Sequence, residues 1–163
     1  MILCDSSLRR MLPQLVREPD YSLVNPASVD IRVGAELMRE TGADAEKIGW
    51  SRVLLQNVYF LDPGELVLVS TEEHLMVPNG YAMEIRLKST AAREGYDQAL
   101  AAWFDPGWSG VGTLEIRNGR RYRPLPLYRG LLIAQFVIHK LDGLSENVYD
   151  GKYNHATTVE AAK

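Results

Sequence analysis

From Tyr81 to Lys88 the chain alternates strictly, with Tyr81, Met83, Ile85 and Leu87 on one parity and Ala82, Glu84, Arg86 and Lys88 on the other. A period of two is the pleat of a half-buried β-strand; a helix would repeat its faces every 3.6 residues. The same rhythm returns between sharp breaks along most of the chain. Asp62-Pro63-Gly64 and Pro78-Asn79-Gly80 divide residues 53–88 into two or three strands, and "GTLEIRN", "RPLPLY" and "GLLIAQFVIHKL" add more. "SLVNPASVDIRVG" gives a turn at Asn25-Pro26 and then a strand with Val29, Ile31 and Val33 on one side, Asp30 and Arg32 on the other. Helix signals are few. "DSSLRRMLPQLV" sets Leu8, Met11, Leu12 and Leu15 at helical spacing behind the capping types Asp5, Ser6 and Ser7, and Pro13 limits or kinks that helix. "STAAREGYDQALAAWF" begins as a second short helix, capped by Ser89 or Thr90, while the polar "RETGADAEKIGW" reads as a loop or insertion. Many short strands with little helix predict a mainly all-β chain, a distorted β-barrel or jelly-roll.

At 163 residues the chain suits one domain over 1–163. Its tail, 145–163, loses periodicity and is expected to be mobile unless something binds it. The net charge of −3 disfavours a nucleic-acid partner recognised by phosphate neutralisation. One cysteine, Cys4, rules out a disulfide framework within the chain. No apolar run approaches the ~20 residues of a membrane span, and the N-terminus does not resemble a signal peptide, so a cytoplasmic protein is expected. His74, His139 and His155 are scattered, without zinc-site spacing, and no nucleophile triad or phosphate-binding glycine loop is present. The available chemistry is that of carboxylates, Arg, Lys, hydroxyls and backbone.

Four stretches offer such groups. In "KSTAAREG" a helix N-terminus, Lys88 and Arg93 are arranged as for a phosphate, although a capped helix with solvated charges has the same pattern. In "WFDPGWSGVGTLEI" Asp105 precedes a Pro-Gly turn, whose backbone such a residue often bonds. Glu115 lies opposite the apolar Leu114 and Ile116, so it either meets solvent beside Arg117 or lines a cleft with a pKa raised for proton transfer. Trp103 and Trp108 bracket the turn and are expected in the core. "RNGRRYR" reads as a solvated hairpin at Asn118-Gly119, and Gln135, in a run apolar on both faces, needs a buried partner.

In their order, "PASVDIRVG", "LDPGELVLVSTEEHLMVP", "KSTAAREG", "DPGWSGVGTLEI" and "LPLYRGLLIAQFVI" resemble the dCTP deaminases of the trimeric dUTPase superfamily, as does the opening "MILCDSSL". Arg93 favours the deaminase branch. The resemblance implies a dUTPase-like barrel and a homotrimer with sites between subunits. It also implies metal-independent deamination of dCTP to dUTP and ammonia, with Mg²⁺ carried on the nucleotide phosphates and no protein metal ligands. On that resemblance Glu115 is the proton shuttle, Ser89 and Arg93 position water and glutamate, and Asp105 lies near the deoxyribose. Lys88, Thr90, Ala91 and Ala92 form the phosphate-binding segment, and the backbone at Ala101 and at Thr113, Leu114 and Glu115 reads the base. Gln135 is directed at phosphate from a neighbouring subunit, and Tyr149, Lys152 and Tyr153 belong to a closing tail. The chain departs from the family pattern at Lys88 (usually Arg), Ala102 and Trp103 (often His and Arg) and Ala156 (Gln). Hydrolysis of dUTP to dUMP, alone or coupled to deamination, is the second reading. A catalytically weak nucleotide sensor or protein-binding relative is the third, with dUTP or dTTP as further ligands.

Overall fold

The structure is a computed structural model that describes residues 1–44, 47–99 and 101–162. Ten strands follow a first helix: β1 (Val29–Asp44), β2 (Lys47–Leu54), β3 (Tyr59–Leu61), β4 (Leu66–Met76), β5 (Tyr81–Leu87), β6 (Tyr96–Gln98), β7 (Trp103–Phe104), β8 (Ser109–Asn118), β9 (Leu125–Leu127) and β10 (Leu132–Lys140). Eight of them form a curled sheet in the order β6-β8-β4-β1-β10-β5-β7 with β2 on the outer half of β1, and β3 pairs with β9. Every strand pairing is antiparallel. The mainly β expectation holds, with two short helices, α1 (Asp5–Leu15) and α2 (Ser89–Glu94), and one 3-10 turn (Tyr21–Leu23).

The sheet curls because β1 changes partners. Its first residues pair with β10, and from Val33 it pairs with β4. The register slips between Val33 and Leu37, and there the Ser70 hydroxyl stands in for the ladder, accepting from Glu36 N–H at 3.1 Å and donating to Glu36 O at 3.0 Å. Gly34 makes room: a Cβ there would lie 2.5 Å from both Ser70 Oγ and Thr71 O. A second slip on β4, between Ser70 and His74, is bridged by Thr71 Oγ1, which donates to Glu73 O and accepts from Gly112 N–H. Inside the curl, Val29, Ile31 and Val33 of β1 meet Val67 and Val69 of β4, Leu114 and Ile116 of β8, and Phe136 and Ile138 of β10. Leu8, Leu12 and Leu15 of α1 close one end.

Three local expectations are corrected. "RETGADAEKIGW" is no loop: apart from Ala45 and Glu46, which lie outside the described residues, it continues β1 and begins β2. The hairpin expected at Asn118-Gly119 does not form, because β9 pairs with β3 and not with β8. The buried Asn118 side chain donates to Leu61 O and Arg123 O and accepts from Arg120 N–H, which turns the chain toward that small sheet. The helix caps fall one residue early, on Cys4 and Lys88, neither with a side-chain capping bond.

The tail also differs from a free segment. Tyr149 N–H donates to Pro106 O, His155 N–H to Ser109 O and Val111 N–H to Ala156 O, so the chain past Val148 is seated along the start of β8. Gly110 permits this approach, since a Cβ there would lie 2.9 Å from Ala156 N. The segment shows no periodicity because it is held at β8 and not by an apolar stripe of its own.

Candidate active site

A concavity of about 1040 Å³ opens on the face of β8 away from the core. Leu114 and Ile116 point inward and are buried, so alternation turns Thr113 and Glu115 outward into this cavity. Leu68, directly across from Glu115 on β4, forms its floor, and Trp50 of β2 joins the wall. Burial pushes the Glu115 carboxyl above the usual carboxylate range. Its Oε2 is buried with no hydrogen-bond partner, and no ion pair links it to Arg117 among the described residues. A carboxyl held in this way takes or gives a proton more readily at neutral pH than a solvated glutamate does.

Asp105 sits at the mouth. The Pro106-Gly107 turn is closed by Trp108 N–H donating to Asp105 O, with Gly107 at φ 91° in the left-handed region open to glycine. The Asp105 side chain does not cap this turn; its Oδ1 accepts from Trp103 Nε1 at 3.1 Å. Trp103 is therefore not the core residue expected of it: it is 52% exposed, and its ring lies 5.5 Å from that of His139. Trp108 is buried as expected and meets Phe104 edge-on, with centroids 4.5 Å apart. Tyr149, Tyr153, Ala156 and Glu160 of the tail complete the wall, and Glu160 N–H donates to Thr113 Oγ1 at 3.1 Å.

Around this cavity the structure gathers Ala101, Asp105, Thr113, Glu115, Tyr149 and Tyr153, with the Leu114 backbone between two of them. It does not bring Lys88, Ser89, Thr90, Arg93, Gln135 or Lys152 into the lining. Lys88 pairs with Asp30 at 2.5 Å, and Gln135 accepts from Ser28 Oγ at 2.7 Å on the neighbouring strands. Ser89, Thr90, Ala92 and Arg93 are exposed on α2, whereas Ala91 is buried. Lys152 lies over the Tyr153 ring at 5.0 Å. Sequence reasoning missed Trp50, Leu68 and Glu160. Trp50 ends a polar stretch, and Glu160 comes from a tail without pattern, so neither carried a signal.

The carboxylates Asp105, Glu115 and Glu160 line the cavity, and among the described residues no Lys, Arg or His does. A polyphosphate bound here would need positive charge from elsewhere.

The family model described as dCTP deaminase-like matches residues 2–141, and the chain belongs to that family. It is 35% identical over 161 residues to a protein of Aquifex aeolicus named "dCTP deaminase, dUMP-forming", covering 94% of this chain and 89% of that one. It is 30% identical over 164 residues to a "dCTP deaminase" of Pyrococcus furiosus, covering 100% and 97%. The crystal structure of 2'-deoxycytidine 5'-triphosphate deaminase from Agrobacterium tumefaciens superposes with a TM-score of 0.70 at 24% identity, over 85% of this chain. That match spans 47% of the Agrobacterium chain, about half its length, and concerns the fold.

Proposed function

We propose that the protein hydrolyses dCTP to dUTP and ammonia, with Glu115 as the proton shuttle. The observation that carries this reading is the Glu115 carboxyl, buried in the cavity with an oxygen that no group among the described residues bonds. The oxygen of a water adds to C4 of the cytosine while Glu115 takes its proton. Glu115 passes that proton to the ring nitrogen N3, then takes the proton of the new C4 hydroxyl and hands it to the amino nitrogen. C4=O forms, the C4–N bond breaks, and ammonia leaves with Glu115 again an anion. The resemblance that names Ser89 and Arg93 as positioning residues, together with their exposure outside the cavity, supports a homotrimer in which a neighbouring copy supplies them.

Among the described residues no cluster of three or more His, Cys, Asp or Glu could hold a metal ion. The resemblance implies a Mg²⁺ carried by the nucleotide oxygens, and Asp105 of the cavity lining is the carboxylate that would face it. When bound, the ion neutralises phosphate charge that the acidic cavity would otherwise repel. A nucleotide substrate of this kind suits a cytoplasmic reaction.

A second reading, deamination coupled to hydrolysis giving dUMP, is favoured by Asp105 sharing the cavity with Glu115 and by the name of the Aquifex relative. Incubation with dCTP or dUTP plus Mg²⁺, resolving ammonia, dUTP, dUMP and pyrophosphate, tests both. Ammonia with dUTP supports the deaminase, dUMP and pyrophosphate from dCTP support the coupled enzyme, and binding without turnover contradicts both.

A further inference from the structure

The tail is held in two different ways. Up to Ala156 it is attached at the start of β8 mainly by backbone bonds, ending at the Gly110–Ala156 bridge, with Trp108 Nε1 donating to Tyr153 O and Ser109 N–H to Asn154 Oδ1. Beyond it, side chains take over. Arg52 Nη1 donates to Thr158 Oγ1 at 2.8 Å, and Nη2 reaches Val159 O at 3.5 Å. The same guanidinium pairs with Glu36 Oε2 at 3.1 Å, and the Thr158 hydroxyl donates to that carboxylate oxygen, closing a three-membered ring of contacts. Val159 is fully buried beside this ring, and Glu160, Ala161 and Ala162 run on as cavity wall.

These side chains share one face of the β1–β2 hairpin. Arg52 stands across from Met38, so Glu36 is its diagonal neighbour, and Trp50, two residues before Arg52, shares its face and lines the cavity. The hairpin thus does more than extend the sheet: it carries the anchor for the part of the tail that the β8 backbone does not hold.

We propose that Arg52, braced by Glu36, is the positioning residue that latches residues 158–162 across the Glu115 cavity. Opening this latch frees one wall of the cavity while the backbone attachment at His155 and Ala156 stays closed. The latch is independent of what the cavity binds.

Arg52→Ala and Thr158→Val each remove one side of the latch, and the second leaves the Arg52–Glu36 pair in place. Hydrogen exchange of the nucleotide-free protein should speed up about three- to tenfold at the Glu160 amide, with His155 unchanged. The three tryptophans, Trp50, Trp103 and Trp108, all line the cavity, so acrylamide quenching of fluorescence should rise in both variants. Where dCTP is turned over, KM should rise with kcat held, a split that general loss of structure would not give. Unchanged exchange at Glu160 in both variants overturns the proposal. Equal acceleration at His155 and Glu160 does so too, because the tail would then leave as one piece. The exchange and quenching results need no substrate, so they decide the latch whether or not the deaminase reading stands.

Discussion

At the scale of residues, Glu115 is the proposed proton shuttle, and burial sets its terms. Because burial raises its pKa, the charged form is the costly one, and the stability tied to the neutral form is lost as pH rises through that raised value. Glu115→Gln should therefore be more stable than the parent at pH 8, by a margin that closes as pH falls below the ordinary carboxylate value of 4.5, measured by urea unfolding at both ends. The acid limb of kcat/KM should bend above 4.5, since the anion must be present to take the proton from water. A limb at or below 4.5 would mean that burial does not govern this group. The outward direction of Glu115 was legible from the alternation of "TLEIR". Its enclosure was not, because Leu68, Trp50 and the tail arrive from distant parts of the chain. Trp103 was misread for a related reason: apolar area argues for the core, but its N–H found Asp105 and its ring found His139, both at the surface of the sheet.

At the scale of elements, strands with one face in the core announced themselves by alternation, as Tyr81–Leu87 does. The β1–β2 hairpin did not, since the ladder hydrogen bonds that pair its strands leave no trace in composition. Asn118-Gly119 shows the converse: a strong local turn signal was overridden by Asn118 side-chain bonds, one to the distant Leu61 backbone and two to the nearby Arg120 and Arg123. The slip at Gly34 is the element-level feature most exposed to mutation. Gly34→Ala would press a methyl group against Ser70 Oγ and the Thr71 carbonyl, and backbone cannot yield as a flexible side chain can. A loss of about 2 kcal/mol in unfolding free energy is expected, read by chemical denaturation. A neutral result would show that the curl does not depend on this close approach.

At the scale of the whole molecule, the residues expected to act together are divided between two regions of one chain. Glu115, Asp105 and the tail surround the cavity, while Ser89 and Arg93 stand exposed on α2. The exposed apolar side chains Leu54, Val58 and Phe60 suit a face covered by another copy. If neighbouring copies complete the site, Glu115→Gln and Arg93→Ala proteins, each inactive, should regain about a quarter of parent activity when unfolded and refolded together in equal amounts. No recovery in a mixture that forms trimers would mean that each subunit builds its site alone. The claim beneath all of this is that the buried Glu115 carboxyl moves the protons of deamination. Ammonia release from dCTP by Glu115→Gln, measured alongside dCTP binding, tests it most directly. The account predicts binding close to that of the parent with ammonia release lost; release at the parent rate would contradict it.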